Sequence, residues 1–311
     1  MSAPTLRQAR ASYLEGLELS DRSPHTLDVY GRSPEELSQW LEDYSNGKPL
    51  AVADIESLHV RGFLLHQARR PKRPGHQHAT TPTEGLSTET IRGYHRVLST
   101  FFRWCEREGL LNGHRPTRNV PRPRPEHKEM PVLSDGEVNR LLALLDKPSS
   151  KKRTLFVAFS LMWRLGLRVS EACDARLSDL DLGRGSLLVR GKGKRQRRLP
   201  VGNGLEGLLR DYLADVRPLY ANGCDRLLVS YTGNPLRPGS LRRSFRRYAR
   251  RADVEGTPHT LRHSFATKAA RSGVHVLYLQ RLLGHSSVTI TDRYFHNSFE
   301  DMRRELEKLT F

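Results

Sequence analysis

Apolar residues recur at intervals of three and four through the N-terminal third of the chain, as expected for helices that each bury one face. The spacing predicts a domain of four helices, over residues 5–19, from Ser23 onward, over about 54–69 and over 87–108. Within the second segment, Ser33, Pro34 and Glu36 fit a fresh helix start. Serine is a good cap, proline suits the first helical position, and Glu36 can close a capping box.

Two stretches lack the helical spacing. Residues 71–85 are rich in Pro, Gly, His and Thr, which predicts a flexible loop that looks like an insertion. Proline alternates with arginine from Pro121 to Pro125, and because proline cannot continue a helix, this segment is predicted to be an extended linker. We therefore divide the chain into an N-terminal domain (1–120), a linker (121–130) and a C-terminal domain (131–311).

The C-terminal pattern is also mostly helical. Ser134 and Glu137 predict a capping box, and residues 152–165 predict a buried helix that ends at Gly166. Further helices are predicted over about 204–216, 239–252, 258–271 and 275–283, then a short helix carrying Tyr294 and an amphipathic helix from Phe299 to Leu309. Leu187–Arg190 and Arg195–Leu199 predict two short strands joined by a turn at 191–194. The predicted fold class is mainly α with a small β-sheet in the C-terminal domain.

Composition indicates the kind of partner. The chain has 52 Lys and Arg against 34 Asp and Glu, a formal net charge of +18, and such an excess favours a polyanion such as nucleic acid. A ribosome-associated or merely soluble basic protein remains an alternative on charge alone. We find no apolar run long enough for a membrane span or a signal peptide, and the three cysteines have no zinc or disulfide spacing. We therefore expect a cytoplasmic protein without a membrane partner.

Several residues could carry chemistry. His259 and His263 are four apart, as metal ligands can be, but Thr260 stands where a metalloprotease has glutamate, so we predict no metal and interpret His263 as structural. Gly191, Lys192 and Gly193 lack the spacing of a nucleotide-binding loop, so no ATP cofactor is expected. Lys192 is then either a solvated turn residue or a functional cation.

Arginines provide further candidates. Arg168 follows the buried helix and either pairs with Glu171 or faces a bound anion. Tyr294 alone would be an ordinary half-buried helix residue. The helix predicted over 239–252 is arginine-rich and is a candidate DNA-binding surface, although such helices mostly contact phosphates rather than bases. Its candidate DNA-binding residues are Arg242, Arg243, Arg246, Arg247 and Arg250.

Together these motifs resemble the tyrosine recombinase (phage integrase) family over essentially the whole chain. The resemblance rests on Gly-Leu-Arg-Val-Ser-Glu at 166–171, Gly-Lys-Gly at 191–193 leading into residues 197–200, His-Thr-Leu-Arg-His at 259–263, Leu-Gly-His at 283–285, and Tyr294. The chain length is more similar to the simple Xer class, or to a compact transposon or phage recombinase, than to an integrase with an additional arm-binding domain.

The resemblance implies a role for each site residue. Arg168 and Arg262 would hold the scissile phosphate, and His285 would donate a further hydrogen bond to it. Tyr294 would attack the phosphorus to form a 3′-phosphotyrosyl link. Lys192 would protonate the leaving 5′ oxygen, and His259 would assist proton removal from Tyr294. The covalent link conserves the energy of the phosphodiester, so rejoining would need no ATP.

The resemblance also implies an architecture and partners. A helical SAM-like core-binding domain and the catalytic domain would form a C-shaped clamp on double-stranded DNA with an inverted-repeat core site. A homo-tetramer, or a hetero-tetramer with a sister recombinase, would exchange strands through a Holliday junction, with no small-molecule substrate. Phe299–Leu309 would dock on a neighbouring protomer or on its own core. The expected function is resolution of chromosome or plasmid dimers, or movement of a mobile element. The alternatives are a type IB topoisomerase and a catalytically silent DNA-binding protein.

Overall fold

The computed structural model describes residues 3–70, 85–125, 130–146, 152–191, 195–202, 204–292 and 294–295. The chain divides into two compact units, Met1–Lys128 and Glu129–Phe311, and each has its own apolar core. Most of the predicted 71–85 loop, Lys192 and the predicted C-terminal helix lie outside the described residues.

Helices account for nearly all regular structure of the N-terminal unit. They are α1 (Leu6–Leu19), α2 (Pro24–Tyr44), α3 (Ser57–Arg69) and α4 (Thr88–Arg107), with a 3-10 turn at Val52–Asp54 before α3. The side chains of Thr5, Ser23 and Ser87 cap α1, α2 and α4 by accepting hydrogen bonds from backbone N–H groups of the first turn. The predicted four-helix domain therefore starts three of its helices at residues with capping side chains.

The fresh helix start predicted at Ser33 and Pro34 is wrong, because α2 runs without interruption through both residues. Proline lacks the N–H that would bond the carbonyl one turn earlier and crowds that turn. Here Arg10 of α1 donates from Nε to the neighbouring Gly31 carbonyl at 2.8 Å. Gly31 also packs so closely on α1 that a Cβ there would lie 3.1 Å from Leu14. Contacts with α1 thus support the continuous helix next to Pro34.

The C-terminal unit surrounds a buried helix with shorter helices and one sheet. Its α-helices are α5 (Asp135–Ala143), α6 (Arg153–Leu165), α7 (Val169–Asp174), α8 (Leu205–Asp211), α9 (Pro238–Ala252), α10 (Pro258–Arg271), α11 (Val276–Leu283) and α12 (Val288–Asp292). A π-helical turn (Tyr212–Val216) extends α8, and 3-10 turns lie at Leu177–Asp179 and Arg217–Leu219. The short predicted helix ends before Tyr294 rather than carrying it.

The sheet consists of β1 (Leu180–Asp181), β2 (Ser186–Arg190) and β3 (Gln196–Pro200), in the order β1-β2-β3. Both pairings are antiparallel, with Leu187 opposite Leu199. The two predicted strands are present, whereas β1 is only two residues long and too short to give a sequence pattern. The predicted fold class, mainly α with a small sheet in the C-terminal unit, is confirmed.

Gly166 determines how the buried helix meets the rest of the unit. It ends α6 with φ of 64°, in the left-handed region that favours glycine. A Cβ at this position would lie 2.5 Å from the ring of Phe265 on α10, so no other residue fits without displacing that ring. The close approach places Arg168, two residues later, beside α10. Among the described residues, no helix is long and apolar enough to cross a membrane.

Candidate active site

A buried carboxylate lies at the centre of the site. The side chain of Glu171, in the first turn of α7, is 3% exposed. Oε2 accepts from the backbone N–H of Arg168 at 2.9 Å and Oε1 accepts from Nη1 of Arg168 at 2.8 Å. Arg197 of β3 donates to both oxygens, at 2.9 and 2.8 Å. Burial alone would raise the pKa of Glu171, but the hydrogen bonds and charge of Arg197, followed by those of Arg168, lower it to about 2.

Arg262 is the most deeply buried cation of the site, with a side chain only 1% exposed. It lies in α10 and donates to the carbonyls of Gly166 and Leu283, each at 2.7 Å. These carbonyls lie where α6 and α11 end, where backbone acceptors lack partners within the helix. Burial, and then the charge of Arg168, lower the pKa of Arg262 to about 10, so it stays protonated at neutral pH.

Arg168 combines an ion pair with an open side. Besides its bonds to Glu171, it lies 3.4 Å from the Leu283 carbonyl and 3.5 Å from the Gly284 carbonyl. Its side chain is nevertheless 37% exposed. The two sequence-based alternatives for Arg168, pairing with Glu171 or facing an anion, are therefore compatible with each other.

His285 follows α11 and connects Arg262 to the segment that precedes Tyr294. Nε2 of His285 lies 3.0 Å from Nη2 of Arg262. Because a guanidinium can only donate, Nε2 accepts this bond, and Nδ1 carries the proton toward Thr291 Oγ1 at 2.9 Å. Thr291 is fully buried, so its hydroxyl fixes the orientation of the His285 ring, while the donor Arg262 sets the tautomer.

Tyr294 completes the group. It is buried, and its ring centroid lies 5.2 Å from that of His263 and 6.4 Å from that of His285. Its backbone N–H donates to the Thr291 carbonyl at 3.0 Å. Thr291 therefore holds the histidine through its side chain and the tyrosine through its backbone.

The two remaining predicted catalytic residues are His259 and Lys192. His259 is exposed in the first turn of α10, three residues before Arg262. Lys192 lies outside the described residues; of the described residues before and after it, Gly191 donates from its backbone N–H to the Arg195 carbonyl at 2.7 Å. A Cβ on Gly191 would lie 4.0 Å from Oε1 of Glu171, so Gly191 approaches the buried carboxylate.

The sequence interpretation missed the roles of three residues in this geometry. The interpretation of His263 as structural did not include its contact with the Tyr294 ring, and Thr291 had not been considered. Arg197 could have been found from strand alternation, because it lies on the same face of β3 as the buried Leu199. Among the described residues, no group of three or more His, Cys, Asp or Glu side chains could hold a metal ion.

The α9 arginines form a separate surface. Leu241, Phe245 and Tyr248 bury one side of the helix. The opposite side is exposed and carries all the candidate DNA-binding residues, Arg242, Arg243, Arg246, Arg247 and Arg250. We call this set the α9 arginine row.

Comparison with known proteins gives matches over nearly the full length. The model of the phage integrase family matches residues 131–301. The chain is 32% identical to tyrosine recombinase XerC of Alcanivorax borkumensis, covering 90% of this chain and 86% of the relative. It is 33% identical to tyrosine recombinase XerD of Neisseria meningitidis serogroup B, covering 91% of each.

A solved structure shares the fold. The Tn1549 transposon integrase, in complex with a circular intermediate DNA, superposes with a TM-score of 0.74 at 20% identity, covering 99% of this chain and 100% of that one. The likeness in sequence and the likeness in fold therefore both extend over the two units.

Proposed function

The chain belongs to the phage integrase family and is a site-specific tyrosine recombinase of the Xer type, and from this premise we propose how its residues divide the work of DNA strand transfer. Arg262 and Arg168 bind the two non-bridging oxygens of the scissile phosphate, and Tyr294 attacks the phosphorus. The observation that carries the proposal is the convergence of two arginines, one histidine and one buried tyrosine at the ends of α6 and α11.

The arginines suit this role because they are fixed before DNA arrives. Donors already aimed at developing charge lower a barrier without reorganising during the reaction. Arg262 is held by two backbone carbonyls, and the exposed part of Arg168 leaves room for a phosphate oxygen. A guanidinium also stays charged and bonds phosphate in a forked geometry.

His285 donates to the phosphate through Nε2, which must first give up its hydrogen bond with Arg262. Its Nε2 accepts from Arg262 in this structure, so donation requires a proton on Nε2. The Thr291 hydroxyl permits this change, because it can accept from Nδ1–H or donate to a bare Nδ1. Thr291 thus supports the histidine in either protonation pattern.

The covalent step exchanges one phosphoester for another. The bond from Tyr294 Oη to phosphorus forms, the bond from phosphorus to the 5′ oxygen breaks, and a 3′-phosphotyrosyl link results. A phenol is a weak nucleophile while it keeps its proton, so a base must assist. His259 takes this proton and Lys192 supplies one to the leaving oxygen. The reverse reaction rejoins the strands without ATP.

The proposal extends from the active site to the assembly of the protein on DNA. We propose that the N-terminal unit (predicted domain 1–120) and the catalytic unit both bind double-stranded DNA at an inverted-repeat core site in the cytoplasm. Four protomers, alone or with a sister recombinase, would exchange strands through a Holliday junction. The α9 arginine row would contact DNA phosphates. The biological outcome would be resolution of chromosome or plasmid dimers, or movement of an element.

Covalent capture tests the proposal. The protein is incubated with sheared genomic DNA of its host and denatured, and the attached DNA is sequenced, with Tyr294→Phe as the control. Adducts at one short inverted-repeat site, absent from the control, are expected. Adducts scattered along the DNA would indicate a topoisomerase activity. Adducts at the ends of a mobile element would indicate an integrase. No adduct from the wild type would contradict the role given to Tyr294.

A further inference from the structure

Arg197 ties together three segments of the catalytic unit. From β3 it donates to both oxygens of Glu171 and, through Nε, to the Leu282 carbonyl at 2.7 Å near the end of α11. Its side chain is only 13% exposed. The hairpin that leads into Lys192 is thereby attached to α7 and to the segment before His285.

Gly284 makes room for this guanidinium. A Cβ on Gly284 would lie 2.9 Å from Nη1 of Arg197, and the residue has φ of 64°, so both space and conformation favour glycine. The Leu-Gly-His segment therefore places His285 and also accommodates Arg197.

The number of hydrogen bonds to Glu171 shows that Arg197 leaves no acceptor position of this carboxylate open to other cations. A carboxylate has about four acceptor positions. Arg168 fills two of them, through its backbone N–H and Nη1, and Arg197 fills the other two. Without Arg197, the buried charge would have two open positions, and the nearest cations would be Arg168 and Arg262. Nη1 of Arg262 already lies 3.7 Å from Oε2.

We infer that Arg197 is a positioning residue, which saturates Glu171 so that Arg168 and Arg262 stay directed at the DNA phosphate. The inference rests on the proposed function of those two arginines. Arg197 does not touch the reacting atoms. It keeps an internal anion from competing with the phosphate for the same two guanidinium groups.

The chain offers a matched control on the same strand. Arg198 is the next residue of β3, points to the other face and is exposed, and it donates to Ser186 Oγ at 3.1 Å. Arg197→Gln and Arg198→Gln remove the same charge from adjacent positions. Only the first removes the partner of Glu171.

The first measurement is single-turnover cleavage of a nicked duplex that carries the site recovered by covalent capture. Because a displacement of about 1 Å can cost about 10²-fold in rate, Arg197→Gln should slow cleavage about 100-fold while the Kd for DNA changes less than about threefold. Arg198→Gln should keep the cleavage rate within about threefold. Equal effects of the two substitutions would overturn the inference.

A double variant separates positioning from simple loss of folding. Adding Glu171→Gln to Arg197→Gln removes the competing anion, so cleavage should recover about 10-fold relative to Arg197→Gln alone, within the usual range for coupled neighbours. A purely structural role predicts further loss instead. A double variant no faster than Arg197→Gln would reject the competition between Glu171 and the phosphate.

A readout without DNA distinguishes failure of this inference from failure of the proposed function. Carbon-13 NMR of the Glu171 carboxyl in the full chain, assigned with Glu171→Gln, should show a higher pKa in Arg197→Gln than in the wild type. If the wild type forms no adduct with DNA, the proposed function fails, and this pKa rise still supports the saturation of Glu171 by Arg197. An unchanged pKa would overturn the inference whatever the activity.

Discussion

The arginines around the buried carboxylate of Glu171, which we call the buried set, and the α9 arginine row place the same side chain in opposite surroundings. Arg168, Arg197 and Arg262 converge on one carboxylate and on backbone carbonyls at helix ends. Among the residues that the structure describes, no arginine of the α9 row forms an ion pair with a carboxylate. The contacts of this row are weaker, such as the guanidinium of Arg247 over the Tyr248 ring, 4.9 Å from its centre.

This difference separates two ways of using positive charge. A guanidinium fixed in a buried network has its orientation set before DNA binds, which suits stabilisation of a transition state. Exposed arginines gain affinity mainly by releasing counterions from the DNA backbone, and this gain needs charge more than orientation. We therefore expect the buried set to control the cleavage rate and the α9 row to control DNA affinity.

Arg262→Ala should give the largest effect. It removes the best-oriented cation, and loss of one such donor costs about 10²- to 10³-fold in rate, so with Arg168 also disturbed we expect at least about 10³-fold slower cleavage of bound DNA. Affinity should change only a few-fold. Single-turnover cleavage and equilibrium binding, measured on the same duplex, check this. Arg246→Ala is the matched control.

Stability must be followed in the same experiment. Arg262→Ala leaves the Gly166 carbonyl without its donor and leaves the Leu283 carbonyl only the longer contact with Arg168, and an unsatisfied buried group costs about 1–3 kcal/mol. Arg262→Lys retains a charge and part of the bonding, and should fold while cleaving poorly. Cleavage at the wild-type rate by a folded lysine variant would show that the forked geometry is unimportant.

The second-largest effect we expect is on the free energy of unfolding at acid pH, through the buried Glu171. The pKa of Glu171 falls from 4.5 to about 2 in the folded protein. A lowered pKa contributes stability that is present above about pH 4.5 and lost as the pH falls toward 2. The shift corresponds to on the order of 3 kcal/mol. Urea unfolding of the wild type and Glu171→Gln between pH 6 and pH 3 should show the difference between them shrink as the pH falls.

An exposed glutamate provides the comparison for that measurement. Glu89 pairs with Arg92 at 2.8 Å on the N-terminal unit, and its side chain is 78% exposed. Exposed pairs of this kind contribute about 0–1 kcal/mol, so Glu89→Gln should leave the pH dependence nearly as in the wild type. If both glutamine variants behaved alike, the burial of Glu171 would not matter.

The sequence predicted the parts of the site that depend on local geometry. The capping box of Ser134 and Glu137 and the glycine end of α6 follow from residues close in the chain, and both are present. The fresh helix start at Ser33 and Pro34 was wrongly predicted because contacts with another helix, such as Arg10 on the Gly31 carbonyl, are not visible in the local sequence. Strand alternation could have placed Arg197 on the buried face of β3, but not its carboxylate partner, which lies 26 residues away. Local chemistry can be read from the chain, whereas pairing across the fold requires the tertiary structure.

Thr291→Val should have an intermediate effect on the rate. It removes the hydroxyl that orients His285 but keeps the size and branching of the side chain, and a net hydrogen bond of about 1 kcal/mol predicts roughly a fivefold to tenfold slower cleavage. Nitrogen-15 NMR should show a shift of the His285 Nδ1 resonance, because Nδ1–H loses its acceptor while Arg262 still donates to Nε2. Thr289→Val, at an exposed position of α12, is the control and should leave both unchanged.

Single substitutions in the α9 arginine row should have the smallest effect on chemistry. Arg246→Ala and Arg250→Ala should each lower the slope of log affinity against log salt by about 0.9 if each arginine neutralises one phosphate, with cleavage of saturated DNA unchanged. Arg246→Lys keeps the charge and should keep the slope. Titrations between about 50 and 200 mM salt on specific and unrelated duplexes measure this. A slope unaffected by Arg246→Ala would remove that arginine from the DNA interface, and slower cleavage of saturated DNA would place it with the buried set.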